Sequence, residues 1–215
     1  MVDRLNMIPN RGKGCLITFC GLDGSGKTTM IKKLTQYFGI IGTECVVTKQ
    51  PTENVRKSEI FRNFMDSDNH SGYSYLSLSL LAASDRVQHT NCLIRPLLEQ
   101  GVTVISDRYF YSCLANLHAR GRENDQWIYE VSQSIIKPDY AFFMDVPVQL
   151  AVSRVRSRKE EKNRYIDIDL QNRLREQYLE IARANHGIII PGCIDENDAF
   201  NRVINELKRC EKYEF

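Results

Sequence analysis

Short apolar runs alternate with longer amphipathic ones along most of the chain. Residues 15–20 (CLITFC) are apolar almost throughout and predict a first buried strand. Met30, Ile31, Leu34 and Phe38 then recur at helical spacing, which predicts a helix over 27–38 with Gly39 just past its end. The same reading predicts strands over 44–48, 102–106, 140–146 and 188–190, and helices over 55–65, 73–100, 112–119, 126–136, 148–158, 169–185 and 197–210. Pro96 marks a kink or a new first turn within the longest of these, and 66–72 (DSDNHSG) reads as a loop. Residues 1–14 read as a polar lead-in. Strand–helix alternation with β-branched strands predicts an α/β fold, a parallel sheet covered on both faces. Ligands of such sheets bind beyond the carboxyl ends of the strands, so the segments that follow each strand are where chemistry is expected.

The segment after the first strand is Gly21-Leu22-Asp23-Gly24-Ser25-Gly26-Lys27-Thr28, which fits G-x-x-x-x-G-K-[ST]. Glycines let the backbone wrap closely and turn its N–H groups toward phosphate oxygens, and the helix N-terminus adds a positive dipole end. Lys27 can reach the β- and γ-phosphates of a nucleotide, and the Thr28 hydroxyl can ligate Mg²⁺. The bland alternative is a glycine-rich turn that matches by chance. The strand before and the helix after speak against it. No Asn-Lys-x-Asp element for guanine occurs, and neither Asp107-Arg108 nor Asp145-Val146 carries the adjacent acid of a hydrolytic ATPase. A kinase fits better.

Charge narrows the acceptor. Lys49 follows the second strand, Arg108 follows the third, and Arg86 lies on the helix between them. A nucleoside monophosphate carries close to two negative charges near neutrality and needs cations, whereas a nucleoside hydroxyl needs a carboxylate base. The turn after strand two offers Lys49, Gln50 and Pro51, with Glu53 the nearest acid, so the pattern favours a monophosphate. Each basic residue could instead be an ordinary surface or salt-bridged one. Asp107 ends a buried strand beside the phosphate loop, where a carboxylate holds Mg²⁺ through water or anchors an arginine. Asp145 reads as structural. His70, His89, His118 and His186 lack metal-like spacing, and Tyr109, Phe110, Tyr111 and Trp127 read as core, with Tyr109 adjacent to the site.

Arg154, Arg156, Arg158, Lys159, Lys162 and Arg164 crowd one stretch with Glu160 and Glu161 between them. In isolation this is a solvated helix end with mixed ion pairs. In a phosphoryl-transfer enzyme it could close over the reacting phosphates, with Arg154 and Arg158 on one helix face as the preferred catalytic pair.

Bulk composition adds exclusions. Lys and Arg number 29 against 27 Asp and Glu, a net charge of +2, which argues against coating nucleic acid or membrane by charge. No apolar run approaches the roughly 18 residues of a membrane span. Seven cysteines without a Cys-x-x-Cys pair read as reduced thiols in the cytoplasm.

With these residues in view, the sequence resembles the bacterial-type thymidylate kinases, P-loop nucleoside-monophosphate kinases, over about 14–208. The most specific segments are Gly21 to Thr29, then Ala83-Ser84-Asp85-Arg86-Val87-Gln88-His89, then Asp107-Arg108-Tyr109 followed by Ser112, with Arg154-Val155-Arg156-Ser157-Arg158 resembling an arginine-bearing lid. The resemblance implies a three-layer α/β P-loop NTPase fold with a five-stranded parallel sheet flanked by helices and a short lid, one kinase domain over 1–215 (core 14–210, lid about 154–167), a homodimer packed through helices, and transfer from Mg-ATP to dTMP. It implies that Gly21, Leu22, Asp23, Gly24, Ser25, Gly26, Lys27, Thr28 and Thr29 bind ATP. Asp23, Lys49, Pro51, Arg86, Arg108, Tyr109, Ser112 and Asn116 would bind the acceptor, and 191–195 would lie at the adenine. Thr28 and Asp107 would hold the metal. Lys27, Arg108, Arg154 and Arg158 would be catalytic. Three positions depart from the family pattern. Ala82 stands where a base-stacking aromatic is usual, Ala115-Asn116-Leu117 replaces Ala-Tyr-Gln, and Lys49-Gln50-Pro51 replaces Arg-Glu-Pro. They leave the acceptor base open between thymine and another pyrimidine. The other readings are a deoxynucleoside kinase, whose lid carries a similar Arg-x-Arg-x-Arg run, and a non-catalytic nucleotide-binding regulatory protein.

Overall fold

The computed structural model describes residues 2–66, 72–162 and 165–209. Five strands, β1 (Leu16–Gly21), β2 (Cys45–Lys49), β3 (Thr103–Asp107), β4 (Tyr140–Asp145) and β5 (Ile188–Pro191), pair in the order β2-β3-β1-β4-β5, every pairing parallel. Between and after them run α1 (Lys27–Ile41), α2 (Glu53–Arg56), α3 (Glu59–Asp66), α4 (Tyr75–His89), α5 (Arg95–Glu99), α6 (Phe110–His118), α7 (Trp127–Ser132), α8 (Val148–Arg156), α9 (Ile168–Ala184) and α10 (Glu196–Leu207). This is the helix-flanked five-stranded parallel sheet of the P-loop NTPase fold.

Strand β1 is apolar throughout because both its faces are covered. Leu16 and Cys20 pack with Leu114 and Leu117 of α6 and Leu174 and Tyr178 of α9. Ile17 and Phe19 point the other way, against Met30, Leu34 and Phe38 of α1 and Val203 and Leu207 of α10. β1 is central, so its carboxyl end opens between β3 and β4 on the two layers at once. The register sets Phe19 beside Asp107, and Asp107 beside Lys49 on β2, which gathers three strand ends at one edge.

Several expectations need correction. Gly39 lies inside α1. The helix runs to Ile41 and stops at Gly42, whose left-handed backbone (φ 75°) lets its N–H reach the Phe38 carbonyl. The helix expected over 55–65 is two. Lys57 and Ser58 separate them, and the Ser58 hydroxyl accepts the Phe61 N–H at the start of α3. The long helix of 73–100 widens into a π turn at Thr90–Ile94 before α5, whose first turn holds Pro96. Proline has no N–H to continue an α-helical ladder, and the widened turn accommodates that. The polar lead-in buries Val2, Leu5 and Met7 in the core, ties the Leu5 N–H to Asn185 Oδ1 (3.0 Å), and bridges Ile8 to Ile136. Helix α8 ends at Arg156 rather than Arg158. Most of the 66–72 loop, His70, Arg164 and Cys210 lie outside the described residues.

Candidate active site

The Gly21–Lys27 loop joins β1 to α1 and wraps tightly. Gly24 has φ +81°, and a Cβ there would stand 2.2 Å from the Ala151 carbonyl oxygen of α8, so no other residue fits. Lys27 is the first residue of α1, and its side chain turns back over the loop. Its Nζ donates to the carbonyls of Leu22 (2.6 Å) and Gly21 (3.1 Å) and approaches Ser25 Oγ (3.4 Å). Burial, with the Arg108 charge adding to it, pushes the Lys27 ammonium down to about 7. A phosphate at the loop would reverse that shift by supplying the missing negative charge.

Arg108 begins the segment after β3 with its backbone in the left-handed region (φ 67°). That conformation costs a non-glycine residue of order 1 kcal/mol. It is held by the Arg108 N–H to the Phe19 carbonyl (2.8 Å) and by the Ser106 hydroxyl, which donates to the Arg108 carbonyl (2.7 Å). The turn aims the guanidinium back across the phosphate loop. There it donates to Asp23 Oδ1 (2.6 Å), the Gly21 carbonyl (3.1 Å) and the Tyr178 hydroxyl of α9 (2.9 Å). Asp107 Oδ2 pairs with Lys49 (3.4 Å), while its Oδ1 is buried with no hydrogen-bond partner among the described residues.

The phosphate loop opens into a cleft of about 680 Å³ between α4 and α6. Asp23, Lys49, Pro51, Arg86, Asp107, Arg108, Ser112 and Asn116 all line it. Tyr109 does not. It is fully buried, and its hydroxyl donates to the Ile136 carbonyl (2.7 Å), so the residue expected at the acceptor is part of the core. Arg86 is almost fully buried. Its Nη1 donates to the Ala82 carbonyl (2.8 Å), and its Nε has no partner among the described residues. Neighbouring Asp85 turns away to hold the Thr52 N–H (2.8 Å) and hydroxyl, and so clamps the 49–52 turn against α4.

The profile of the thymidylate kinase family matches residues 19–201. The chain belongs to the thymidylate kinase family. A probable thymidylate kinase of Thermococcus kodakarensis is 39% identical over 168 residues, which cover 75% of this chain and 81% of that protein. A thymidylate kinase of Sulfurihydrogenibium is 31% identical over 201 residues, 91% of this chain and 98% of its own length. A thymidylate kinase of Prochlorococcus marinus is 35% identical over 161 residues, 70% of this chain and 75% of its own. These matches set the chain with the monophosphate kinases rather than with the deoxynucleoside kinases weighed from the sequence.

In this thymidylate kinase fold the two lid arginines are separated. Arg154 is on α8, and its Nη1 donates to the carbonyls of Gly192 (3.0 Å) and Gly24 (3.4 Å), joining the phosphate loop to the segment after β5. Arg158 is past the helix end in extended backbone. It lines the cleft and pairs with Glu161 (3.4 Å). One helix face does not carry both, because α8 stops between them. Asp145 is held by both ends of the Arg175 guanidinium (2.7 and 3.0 Å), in keeping with a structural role.

A hard dication suits what surrounds the phosphate loop. Among the described residues no group of three or more His, Cys, Asp or Glu could hold a metal by itself. Mg²⁺ is commonly held by one carboxylate, a hydroxyl and substrate phosphates. The unpartnered Asp107 Oδ1 and the exposed Thr28 at the helix start provide those two protein oxygens. Sequence reasoning missed Arg56, Tyr75, Arg120 and Tyr178, all of which line the cleft. Arg56 donates through Nε to the Pro51 carbonyl (2.8 Å), and burial pushes its pKa down. Only Arg56, five residues past Pro51, carried a signal the sequence could have offered.

Proposed function

We propose that the protein transfers the terminal phosphoryl group of Mg-ATP to a nucleoside monophosphate, dTMP first among them. One observation carries this reading: the phosphate loop and the cations Lys49, Arg56, Arg86 and Arg108 line a single cleft. The loop's backbone N–H groups and Lys27 would hold the donor phosphates, with Gly21 to Thr29 as the ATP site. Arg108 and Arg56 would hold the acceptor phosphate in line, and Asp23, beside Arg108, would meet the sugar. Ser112 and Asn116 would flank the acceptor, and Arg86 would contact its base. An acceptor phosphate is already an anionic nucleophile, so positioning and charge neutralisation are the whole catalytic task. Arg158 at the cleft mouth would leave Glu161 for the transferring phosphoryl group, while Arg154 would steady the donor side. Mg²⁺, held by Thr28 and Asp107, would neutralise donor phosphate charge.

On the same reading the whole chain is one kinase domain working as a homodimer, and a gel-filtration mass near one chain would count against the dimer. The site of action would be the cytoplasm, where buried thiols such as Cys20 and Cys113 stay reduced. The test is to supply Mg-ATP with a panel of nucleosides and monophosphates and follow ADP. Turnover with dTMP is expected. Turnover with thymidine or deoxycytidine in its place, or with no acceptor at all, would overturn the proposal.

A further inference from the structure

Among the described residues, the end of the cleft away from the phosphate loop presents two guanidinium groups and no carboxylate. The described acids that line the cleft are Asp23 and Asp107 at the phosphate end and Glu161 on the α8–α9 connection. At the other end stand two guanidinium groups. One is Arg86, whose buried Nε lacks a partner among the described residues. The other is Arg120, just past the end of α6. Its Cζ lies 4.0 Å from the centroid of the Tyr75 ring, in cation–π range, and its Nη1 donates to Asn116 Oδ1 (2.9 Å) and the Asn116 carbonyl (3.2 Å). Asn116 in turn gives its Nδ2 to the Ser112 carbonyl (2.9 Å). Both ends of the Asn116 amide are thereby engaged, so Asn116 orients Arg120. Tyr75 and Ala82 are seven residues apart on α4 and share its cleft face with Arg86.

We propose that Arg120, held over the Tyr75 ring and fixed by Asn116, reads the acceptor base and selects a 4-keto pyrimidine over a 4-amino one. This rests on the monophosphate-kinase reading above. With its phosphate at Arg108, an acceptor directs its base between α4 and α6 toward Arg86 and Arg120. Thymine and uracil bring carbonyl oxygens to those N–H groups. Cytosine brings an amino group, whose N–H would face two cations that cannot accept it. A site built to hydrogen-bond one edge rejects an analogue that leaves its donors unpaired far more strongly than shape alone would. The discrimination resides in side chains from two separate helices, and Tyr75 acts as a positioning residue through Arg120.

The experiment measures kcat/KM for dTMP, dUMP and dCMP in the wild-type chain and in Arg120→Ala, Arg120→Gln and Tyr75→Phe. The wild type is expected to prefer dTMP and dUMP. Arg120→Ala is expected to lower the dTMP-to-dCMP ratio at least tenfold, with the KM for ATP unchanged. Tyr75→Phe keeps the ring and is expected to keep the ratio. Should Arg120→Ala fail to fold, Arg120→Gln reads the same ratio, since it removes the cation and leaves side-chain bulk. A ratio preserved within twofold in folded Arg120 variants, with wild type active on dTMP, overturns this inference alone. Wild type inactive on all three monophosphates overturns the monophosphate-kinase reading and this inference with it.

Discussion

Arg108 Nη2 lies 2.6 Å from Asp23 Oδ1, so the end of β3 is tied by an ion pair to the phosphate loop that follows β1. The same guanidinium reaches the Gly21 carbonyl and the Tyr178 hydroxyl, and Tyr178 donates onward to Ser112 Oγ (3.1 Å). The phosphate loop, Arg108 and α9 are thus one hydrogen-bonded unit.

Replacement of Arg108 is expected to damage acceptor use first. Arg108→Ala should raise the KM for the acceptor or lower kcat/KM for it by roughly 10- to 150-fold, the factor that about 1.5–3 kcal/mol of charge-assisted hydrogen bonding represents. ATP affinity should change far less, because Lys27 and the loop backbone remain. Steady-state kinetics with each substrate varied in turn check this. Unchanged acceptor kinetics would remove Arg108 from the acceptor site.

Lys27 gives a pH signature. Its folded pKa, about 7, lies below the ordinary 10.5, because burial penalises the charged form. The sign follows directly. Below about 7 the ligand-free fold carries the whole cost of a buried ammonium, and from about 7 up to the ordinary 10.5 that cost recedes, so this group's contribution to stability rises with pH across that window. Donor phosphates restore the charge. At pH 8, ATP binding should therefore take up nearly one proton, roughly 0.9 for a group with a pKa near 7. Titration calorimetry in buffers of different ionisation heat measures that uptake directly. Lys27→Met should abolish both the uptake and phosphoryl transfer. A binding heat that does not depend on the buffer in the wild type would contradict the shift.

Asp107 gives a metal signature. Its buried Oδ1, without a partner among the described residues, would be the carboxylate oxygen offered to an ion at the phosphate loop. Asp107→Asn should raise the Mg²⁺ concentration for half-maximal activity several-fold, since it replaces an anionic oxygen with a neutral one. The fold should tolerate the change, because Lys49 is about half exposed and an amide keeps the carboxylate's shape, so the pair it loses contributes little. Activity measured across a Mg²⁺ series at fixed ATP decides it. An unshifted midpoint would place the metal elsewhere.

The phosphate loop and the strand–helix alternation were legible because both are local. A glycine pattern between an apolar run and an amphipathic one specifies a loop conformation within eight residues, and burial on both faces writes itself into β1 as unbroken hydrophobicity. Element ends were less legible. Whether Gly39 or Gly42 stops α1, and whether α8 reaches Arg158, depends on which residues the rest of the fold covers.

The chain's own order of residues determined a parallel α/β sheet, a nucleotide-binding loop, and cations at Lys49, Arg86 and Arg108 suited to an anionic acceptor. Tertiary structure alone decided what those cations face. It put Tyr109 into the core, sent Arg154 to Gly192 while Arg158 went to the cleft, turned Arg108 through a left-handed backbone onto Asp23, and set Arg120 upon Tyr75. The physical reason is separation along the chain. Asp23 and Arg108 are 85 residues apart, and no periodicity or motif encodes a contact that exists only once two strands have paired.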